Sequence, residues 1–367
     1  MCQGVRIVQK LNWKIIFLTA ALVLVGLLFL YSASGIYAQF KYGDGFFYIK
    51  RQLLFVVIGV ILAAGVYKLD LKKLRTRSRS VIVVALASLL GVLIFGKEAG
   101  GAKRWYHFLG FSFQPIEFVK LAYIFYIADF LERKRFEMYR FKKICLPVYL
   151  ILAVFVILLL LQPDFGNSVF LLLLTISIFY FGGVPVRFLM TTAGAVLPFL
   201  ILAFWKLEYI RRRILGFLFP WRYSRDVGFQ LIQSYIAIGS GGLLGKGLGM
   251  SRQKLFYLPQ AHNDFIFSIV AEELGFVGAV FLICLYFFLV WNFIKVLENL
   301  QGVFPRMFMT GLIFAFSYQV IINLGVCLGF LPTKGLPLPF LSYGGSSLVS
   351  NFVLIGLVLN LSKNYHK

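Results

Sequence analysis

Acidic side chains are scarce: 14 Asp and Glu stand against 37 Lys and Arg in 367 residues, a net charge of +23. Charged residues of both signs make up only 14%, well below the quarter usual for a soluble domain. There are three histidines, and four cysteines (Cys2, Cys145, Cys284 and Cys327) without metal-ligand spacing. That argues against a zinc centre or a disulfide framework. Cysteines in or beside apolar runs read as small apolar residues. No low-complexity tail, soluble domain or fixed-period repeat is visible. The basic residues flank apolar runs and build no separate domain, so a nucleic-acid binder is not expected.

Long apolar runs dominate instead. Hydrophobic residues reach 60%, and runs near 20 residues recur, each long enough to cross a bilayer. They are continuous and do not alternate, so an all-α polytopic membrane protein is expected, not a β-barrel. Ten spans are predicted, near 13–34, 52–69, 80–96, 114–132, 145–162, 166–183, 187–205, 264–292, 308–330 and 346–362. The first is longer than a signal-peptide core and reads as an anchor. The basic loops Lys68–Arg79 and Arg133–Lys143 are placed in the cytoplasm by the positive-inside rule. Both termini follow with an even span count. The whole chain, 1–367, reads as a single membrane domain. Its polar length then lies outside, in 97–113, 162–166, 331–345 and a long loop near 206–263.

With so few acids, each one near lipid calls for a reason. Asp264 is the sharpest case. It stands where Pro259-Gln260-Ala261-His262-Asn263 runs into Phe265-Ile266-Phe267, as a helix cap or as a reactive carboxylate. Glu272, eight residues on, is expected on roughly the same face and about 12 Å deeper. At that depth Glu272 and Glu273 suit structural acids held by basic partners. His262 reads as a packing or hydrogen-bonding residue.

Other segments carry charge suited to a phosphate ligand. Gly100-Gly101-Ala102-Lys103-Arg104-Trp105 offers a close-approach backbone and two cations, or a headgroup anchor beside Trp105. Glu117 and Lys120, three apart, share a helix face. Asp164, in Gln162-Pro163-Asp164-Phe165-Gly166, suits a turn or a helix cap. Arg211, Arg212 and Arg213 are basic on the side where topology does not need it. Their guanidinium forks suit diphosphate or lipid headgroups. Phe229–Ile238 could lie as an interfacial helix. Lys334 sits in the proline-stiffened Leu331–Phe340, and Ser346 in a Gly-Gly-Ser-Ser run opening the last helix, a possible anion site.

Taken in order, these pieces resemble the SEDS family (shape, elongation, division and sporulation) of membrane proteins. The resemblance is carried by Lys103-Arg104-Trp105, Gln114-Pro115-x-Glu117, Pro163-Asp164-Phe165-Gly166, Gly228-Phe229-Gln230, Gly239-Ser240-Gly241-Gly242, Gln253-Lys254, His262-Asn263-Asp264-Phe265, Glu272-Glu273-Leu274-Gly275 and Ser342-Tyr343-Gly344-Gly345-Ser346-Ser347. Leu331-Pro332-Thr333-Lys334-Gly335-Leu336 is similar to the division type. Two positions depart: the family usually has Glu at Gln260 and Ser at Ile116.

The resemblance implies a peptidoglycan glycosyltransferase that polymerises lipid II on the outer face of the bacterial cytoplasmic membrane, at the septum for a division type. Asp264 is then the expected general base. Lys103, Arg104, Lys120, Arg211, Arg212, Arg213, Lys334 and Ser346 are candidates to hold substrate, and Glu117, Asp164, His262, Glu272 and Glu273 to support it. A divalent cation, Mg or Mn, is a possible cofactor with Asp264 a possible ligand, and no nucleotide cofactor is needed for a donor already activated. The growing lipid-linked glycan, a class B penicillin-binding protein and other division proteins are the implied partners. A lipid II flippase and a non-catalytic scaffold for a transpeptidase are the rival readings.

Overall fold

The computed structural model describes residues 2–99, 102–108, 111–192, 194, 205–255 and 257–365. Helices dominate. Among the described residues, seven are long and apolar enough to cross a membrane: Gln9–Tyr42, Phe47–Lys68, Ser78–Phe95, Phe141–Leu161, Ile266–Glu298, Val303–Cys327 and Gly345–Asn364. Two more match predicted spans. Phe165–Phe181 is apolar but shorter, and Ile116–Arg133 carries five charged residues. Most of the predicted span 187–205 lies outside the described residues.

Of the seven apolar spans, Val303–Cys327 and Gly345–Asn364 are the most enclosed. The last helix packs along Phe47–Lys68, where glycines allow close approach. A side chain on Gly59 would meet the Phe352 ring at 2.4 Å, and one on Gly356 the Ala63 carbonyl at 2.6 Å. The helices share one large hydrophobic core, with Tyr123, Phe155, Phe170, Phe267, Phe304, Phe308 and Phe316 fully enclosed.

The all-α expectation needs one correction. Residues 97–113 contain a small antiparallel sheet of three strands, β1 Lys97–Ala99, β2 Ala102–Phe108 and β3 Phe111–Phe113, in the order β1-β2-β3. The physical signal is period two. In β2, Arg104 and Tyr106 turn toward the helices, while Lys103 and His107 are exposed. The Tyr106 hydroxyl donates to Ser88 O at 3.0 Å, fastening the sheet to helix Ser78–Phe95.

The stretch 206–263 is not a plain loop. It holds helices Glu208–Leu218 and Phe229–Gly241. The second packs on helix Ile266–Glu298 and does not simply lie in the interface: Ser234 Oγ is 2.7 Å from Ser268 Oγ and donates to Cys327 O at 2.7 Å. After it, the chain turns back and stitches a break in the long helix. Gly275 has φ 68°, ψ −164°, outside helical geometry. Lys246 N and Gly247 N donate to the carbonyls of Glu272 and Glu273 at 3.1 and 3.0 Å, and Phe276 N and Val277 N donate to Gly242 O and Leu243 O at 2.9 and 3.1 Å. Backbone groups freed by the break are thus re-paired, as an apolar environment demands.

Residues 336–342 are almost wholly buried. Leu336, Leu338, Phe340 and Leu341 are enclosed. Asn323 donates to Leu336 O at 2.7 Å, Gln319 to Pro337 O at 3.0 Å and Gln52 to Ser342 O at 3.2 Å. The segment enters the bundle and is held there by amides from two helices.

Candidate active site

Helix Ile266–Glu298 begins two residues after Asp264, so Asp264 lies in the turn and not in the helix as expected. Its main chain is fixed. Asn323 Nδ2 donates to Asp264 O at 2.9 Å, and Cys327 Sγ approaches the same oxygen at 3.5 Å. Its carboxylate is a different matter: among the described residues it has no protein hydrogen-bond donor. Gly335 faces it so closely that an added Cβ would stand 2.8 Å from Asp264 Oδ2. The side chain is half-buried. Desolvation pushes its pKa up to about 7, opposed by the field of Arg213.

Arg213, on helix Glu208–Leu218, is close enough for its charge to act on Asp264. It feels Arg104, Asp164, Tyr209 and Asp264, and desolvation holds its pKa below the usual guanidinium value. Its side chain is nonetheless exposed, as are those of its two neighbours. Arg211 and Arg212 are exposed, and Arg212 pairs with Asp226 at the surface. Successive helical residues point 100° apart, and of the three it is Arg213 whose charge acts on Asp264.

Arg104 reaches the same region from β2. Its Nε donates to Gln162 O at 3.0 Å, an Nη donates to Pro163 O, and Nε lies 4.0 Å from Asp164 Oδ2. Lys103, on the other face of the strand, is exposed and is not brought in. Asp164 caps helix Phe165–Phe181, accepting from Asn167 N at 3.2 Å and Asn167 Nδ2 at 2.7 Å. The cap reading is the one the geometry carries.

Lys334 lies across the start of that helix. Only glycine leaves room for it, since a Cβ on Gly166 would fall 1.9 Å from Lys334 Cε. Its ammonium stands 5.5 Å from the centre of the Phe170 ring and has no hydrogen-bond partner. Desolvation pulls its pKa down to about 7, with Asp164 opposing and Lys120 assisting. Lys120 sits on the same Phe170 ring at 4.9 Å and pairs with Glu117 at 2.8 Å, both of them buried. Ser350 Oγ donates to the other Glu117 oxygen at 3.5 Å.

Asp264, Arg213, Arg104, Asp164, Lys334, Lys120 and Glu117 therefore form one connected cluster drawn from six parts of the chain. Four cations face three acids, two of which are engaged by Asn167 and Lys120. Ser346 supports from the side: its hydroxyl accepts from Gln114 N at 2.8 Å and donates to Ser112 O at 3.5 Å. His262 is packed among Tyr37, Tyr48 and Tyr343, with centroid distances of 5.6, 4.6 and 6.1 Å. Desolvation drops its pKa to about 4, so at neutral pH it is an uncharged wall. Gln260 is exposed in a turn at φ 55°, and Ile116 is buried beside Glu117.

The comparisons decide the family. Residues 12–367 match the FtsW/RodA/SpoVE family, described as "Cell cycle protein". This chain belongs to that family. It is 37% identical to the probable peptidoglycan glycosyltransferase FtsW of Geobacter metallireducens, over 97% of this chain and 95% of the relative. It is equally identical to stage V sporulation protein E of Bacillus subtilis, over 95% and 96%. Among solved structures, a chain of a peptidoglycan synthase complex that coordinates polymerization and crosslinking superposes with a TM-score of 0.81 at 31% identity, covering 96% and 97%. The rod shape determining protein RodA of Thermus thermophilus gives 0.71 at 30% identity, covering 97% of both chains. Family membership accords with the ordered motifs, and those that carry Arg104, Glu117, Asp164 and Asp264 meet in the cluster around Asp264.

Glu272 and Glu273 are not part of that cluster. Both are fully enclosed. Glu272 takes Lys246 Nζ at 2.7 Å, the Ser251 hydroxyl, and the backbone N–H groups of Arg252 and Gln253 at 3.2 and 3.3 Å. Glu273 takes Lys254 Nζ at 3.0 Å and the Ser32 hydroxyl. They are acids held by basic partners beside the helix break. Lys246 and Lys254 were not singled out by sequence as those partners; the glycine run 241–249, which lets the chain fold back, is the signal that could have found them. Gly166, Gly335 and Phe170 were missed too, because their roles arise only from what packs against them.

Proposed function

We propose that this chain is a peptidoglycan glycosyltransferase that joins lipid II units into β-1,4 glycan strands and releases undecaprenyl diphosphate. The observation that carries the reading is one poised carboxylate with cations clustered near it. Asp264 is reachable, unpaired and held near neutral pKa, as a general base working at pH 7 requires. It takes the proton of the acceptor 4-hydroxyl as that oxygen attacks the donor anomeric carbon. The C–O bond to the diphosphate breaks, and the electron pair leaves with the phosphate oxygen. Arg213, Arg104 and Lys334 stabilise the developing charge, and Arg104 is already positioned for it by its bonds to Gln162 O and Pro163 O. Lys120 and Glu117 fix the Phe170 side of the cradle. In-line attack on an α-linked donor inverts it to a β-linkage.

Among the described residues no group of three His, Cys, Asp or Glu could hold a metal ion. These residues do not by themselves build a centre for Mg or Mn. A cation would depend mainly on diphosphate oxygens, with Asp264 as the one uncommitted carboxylate, and no step is assigned to it.

In the proposed topology ten spans place both termini in the cytoplasm and the Asp264 cluster at the outer face of the cytoplasmic membrane, at the septum for a division-type member. A class B penicillin-binding protein would crosslink the strands, alongside other division proteins. The test is glycan formation from purified lipid II by wild type and Asp264→Asn, each with its transpeptidase partner. Polymer from wild type alone supports the reading. Equal polymer removes Asp264 as base. No polymer from either, in a folded and partner-bound preparation, favours a flippase or scaffold.

A further inference from the structure

A second charged cavity, of about 620 Å³, lies at the far end of helix Ile116–Arg133. Its acid, Asp129, is twelve residues beyond Glu117, or about 18 Å along the helix. The cavity is lined by Lys72, Arg75, Arg79, Arg133, Asp129 and Tyr365, with Thr76 and Ser78. Four cations thus surround one carboxylate, and none of these groups belongs to the cluster around Asp264.

The arrangement is built, not merely basic. Asp129 is buried. Its Oδ1 accepts from Arg75 Nε at 2.7 Å, and its Oδ2 accepts from Arg133 Nε at 2.9 Å and from the Ser78 hydroxyl. One carboxylate therefore fixes two guanidiniums by their inner nitrogens. Arg75 spends one outer nitrogen on Glu132 at 3.0 Å. The outer nitrogens of Arg133, and the side chains of Arg79 and Lys72, have no acidic partner among the described residues. Lys72 Nζ lies 6.0 Å from the centre of the Tyr365 ring. Topology asks only for basic residues near the membrane. It does not ask for a buried carboxylate that organises them around a hollow, which costs desolvation.

We propose that this cavity binds the phosphate group of an anionic phospholipid in the leaflet opposite the Asp264 cluster. Forked guanidinium donors match phosphodiester oxygens. A basic pocket between helix ends at the cytoplasmic surface is suited to an anionic headgroup. The Tyr365 ring offers an apolar wall to the glycerol. A free phosphate shares the recognised chemistry, but the position at the ends of membrane-spanning helices favours the lipid.

The experiment uses the purified full chain in detergent, stripped of lipid, and needs neither turnover nor a known orientation. Short-chain phosphatidylglycerol and phosphatidylcholine are titrated separately, with bound lipid counted by native mass spectrometry. Wild type is expected to prefer phosphatidylglycerol by at least about tenfold, a preference that weakens with salt. Lys72→Gln with Arg79→Gln, side chains outside the Asp129 pairs, should bring it to the phosphatidylcholine level at unchanged melting temperature. Lys73→Gln with Arg77→Gln removes the same charge from the same loop without touching the cavity, and should keep the preference. The proposal is overturned if wild type shows no preference, if the two double variants lose it equally, or if inorganic phosphate at low millimolar concentration displaces the lipid.

Discussion

Two sets of carboxylates lie within ten residues of each other, at and just beyond the start of helix Ile266–Glu298, and are treated in opposite ways. Glu272 and Glu273 are completely enclosed, and each has an ammonium and a serine hydroxyl on it. Asp264 has a fixed backbone, a partly accessible side chain and only the field of Arg213. The paired acids tie residues 246–254 to the break at Gly275 and so hold the architecture. The unpaired acid is left costly to ionise, which is the property a base needs. A carboxylate held by an ammonium of its own protein has little affinity left for a substrate proton.

The largest expected effect comes from removing the unpaired acid. Asp264→Asn should lower lipid II polymerisation by about 10²–10⁴-fold, the usual worth of a general base. Its effect on stability should be nil or favourable. With a folded pKa of about 7 against an ordinary 3.8, the folded wild type binds more protons than the unfolded chain between those values. Wild-type stability should therefore fall as pH rises from about 4 to about 7. Melting curves across that range should show this contribution in wild type and lack it in the Asn variant.

Lys254→Met makes the opposite cut. It leaves Glu273 enclosed without its ammonium, and breaking a buried pair costs about 3–5 kcal/mol. A large drop in melting temperature is expected, and Glu273→Gln in the same chain should restore part of it. A Lys254→Met protein that melts like wild type would sink the distinction between the two sets of acids.

Gly166→Ala tests the cradle without touching a charge. The methyl would occupy the place of Lys334 Cε, so the ammonium must move. A displacement near 1 Å at a positioned group costs about 10²-fold. Turnover should fall while Asp264 keeps its acid limb.

Much of this was legible in order but not in depth. Apolar runs gave most of the helices, and the positions of Asp264, Asp164, Glu117 and Lys120 followed from motif and spacing. The sheet at 97–113 was hidden because its strands are short, its neighbours strongly helical, and Lys103-Arg104-Trp105-Tyr106 shows no polar–apolar alternation. The partners of Glu272 and Glu273 were hidden because Lys246 and Lys254 return from 19 or more residues away through a glycine-rich reversal. Lys103 and Arg104 looked equivalent until the strand placed them on opposite faces, and the three consecutive arginines looked equivalent until the helix did the same.

The pH profile of polymerisation separates the two poised groups. Asp264 must be ionised and Lys334 protonated, and burial moves both to about 7. A narrow bell centred near pH 7 is expected for kcat/KM. Lys334→Gln should lower its height and remove the alkaline limb, leaving the rise through Asp264. An alkaline limb that survives would show that Lys334 is not the group titrating there.

The smallest expected effect lies between neighbours. Arg212 pairs with Asp226 at an exposed position, and such surface pairs contribute little; Arg212→Gln should leave both turnover and melting temperature near wild type. Arg213, one residue on, opposes the desolvation of Asp264. Removing its charge must raise the Asp264 pKa further, so Arg213→Gln should move the acid limb to higher pH as well as lowering the maximum. The shift in the limb is the deciding readout, because loss of a phosphate contact alone would reduce the rate without moving the titration. If Arg212→Gln moved the limb and Arg213→Gln did not, the helix would present a different face to the site than the one described, and the comparison between paired and poised charges would have to be redrawn around Arg212.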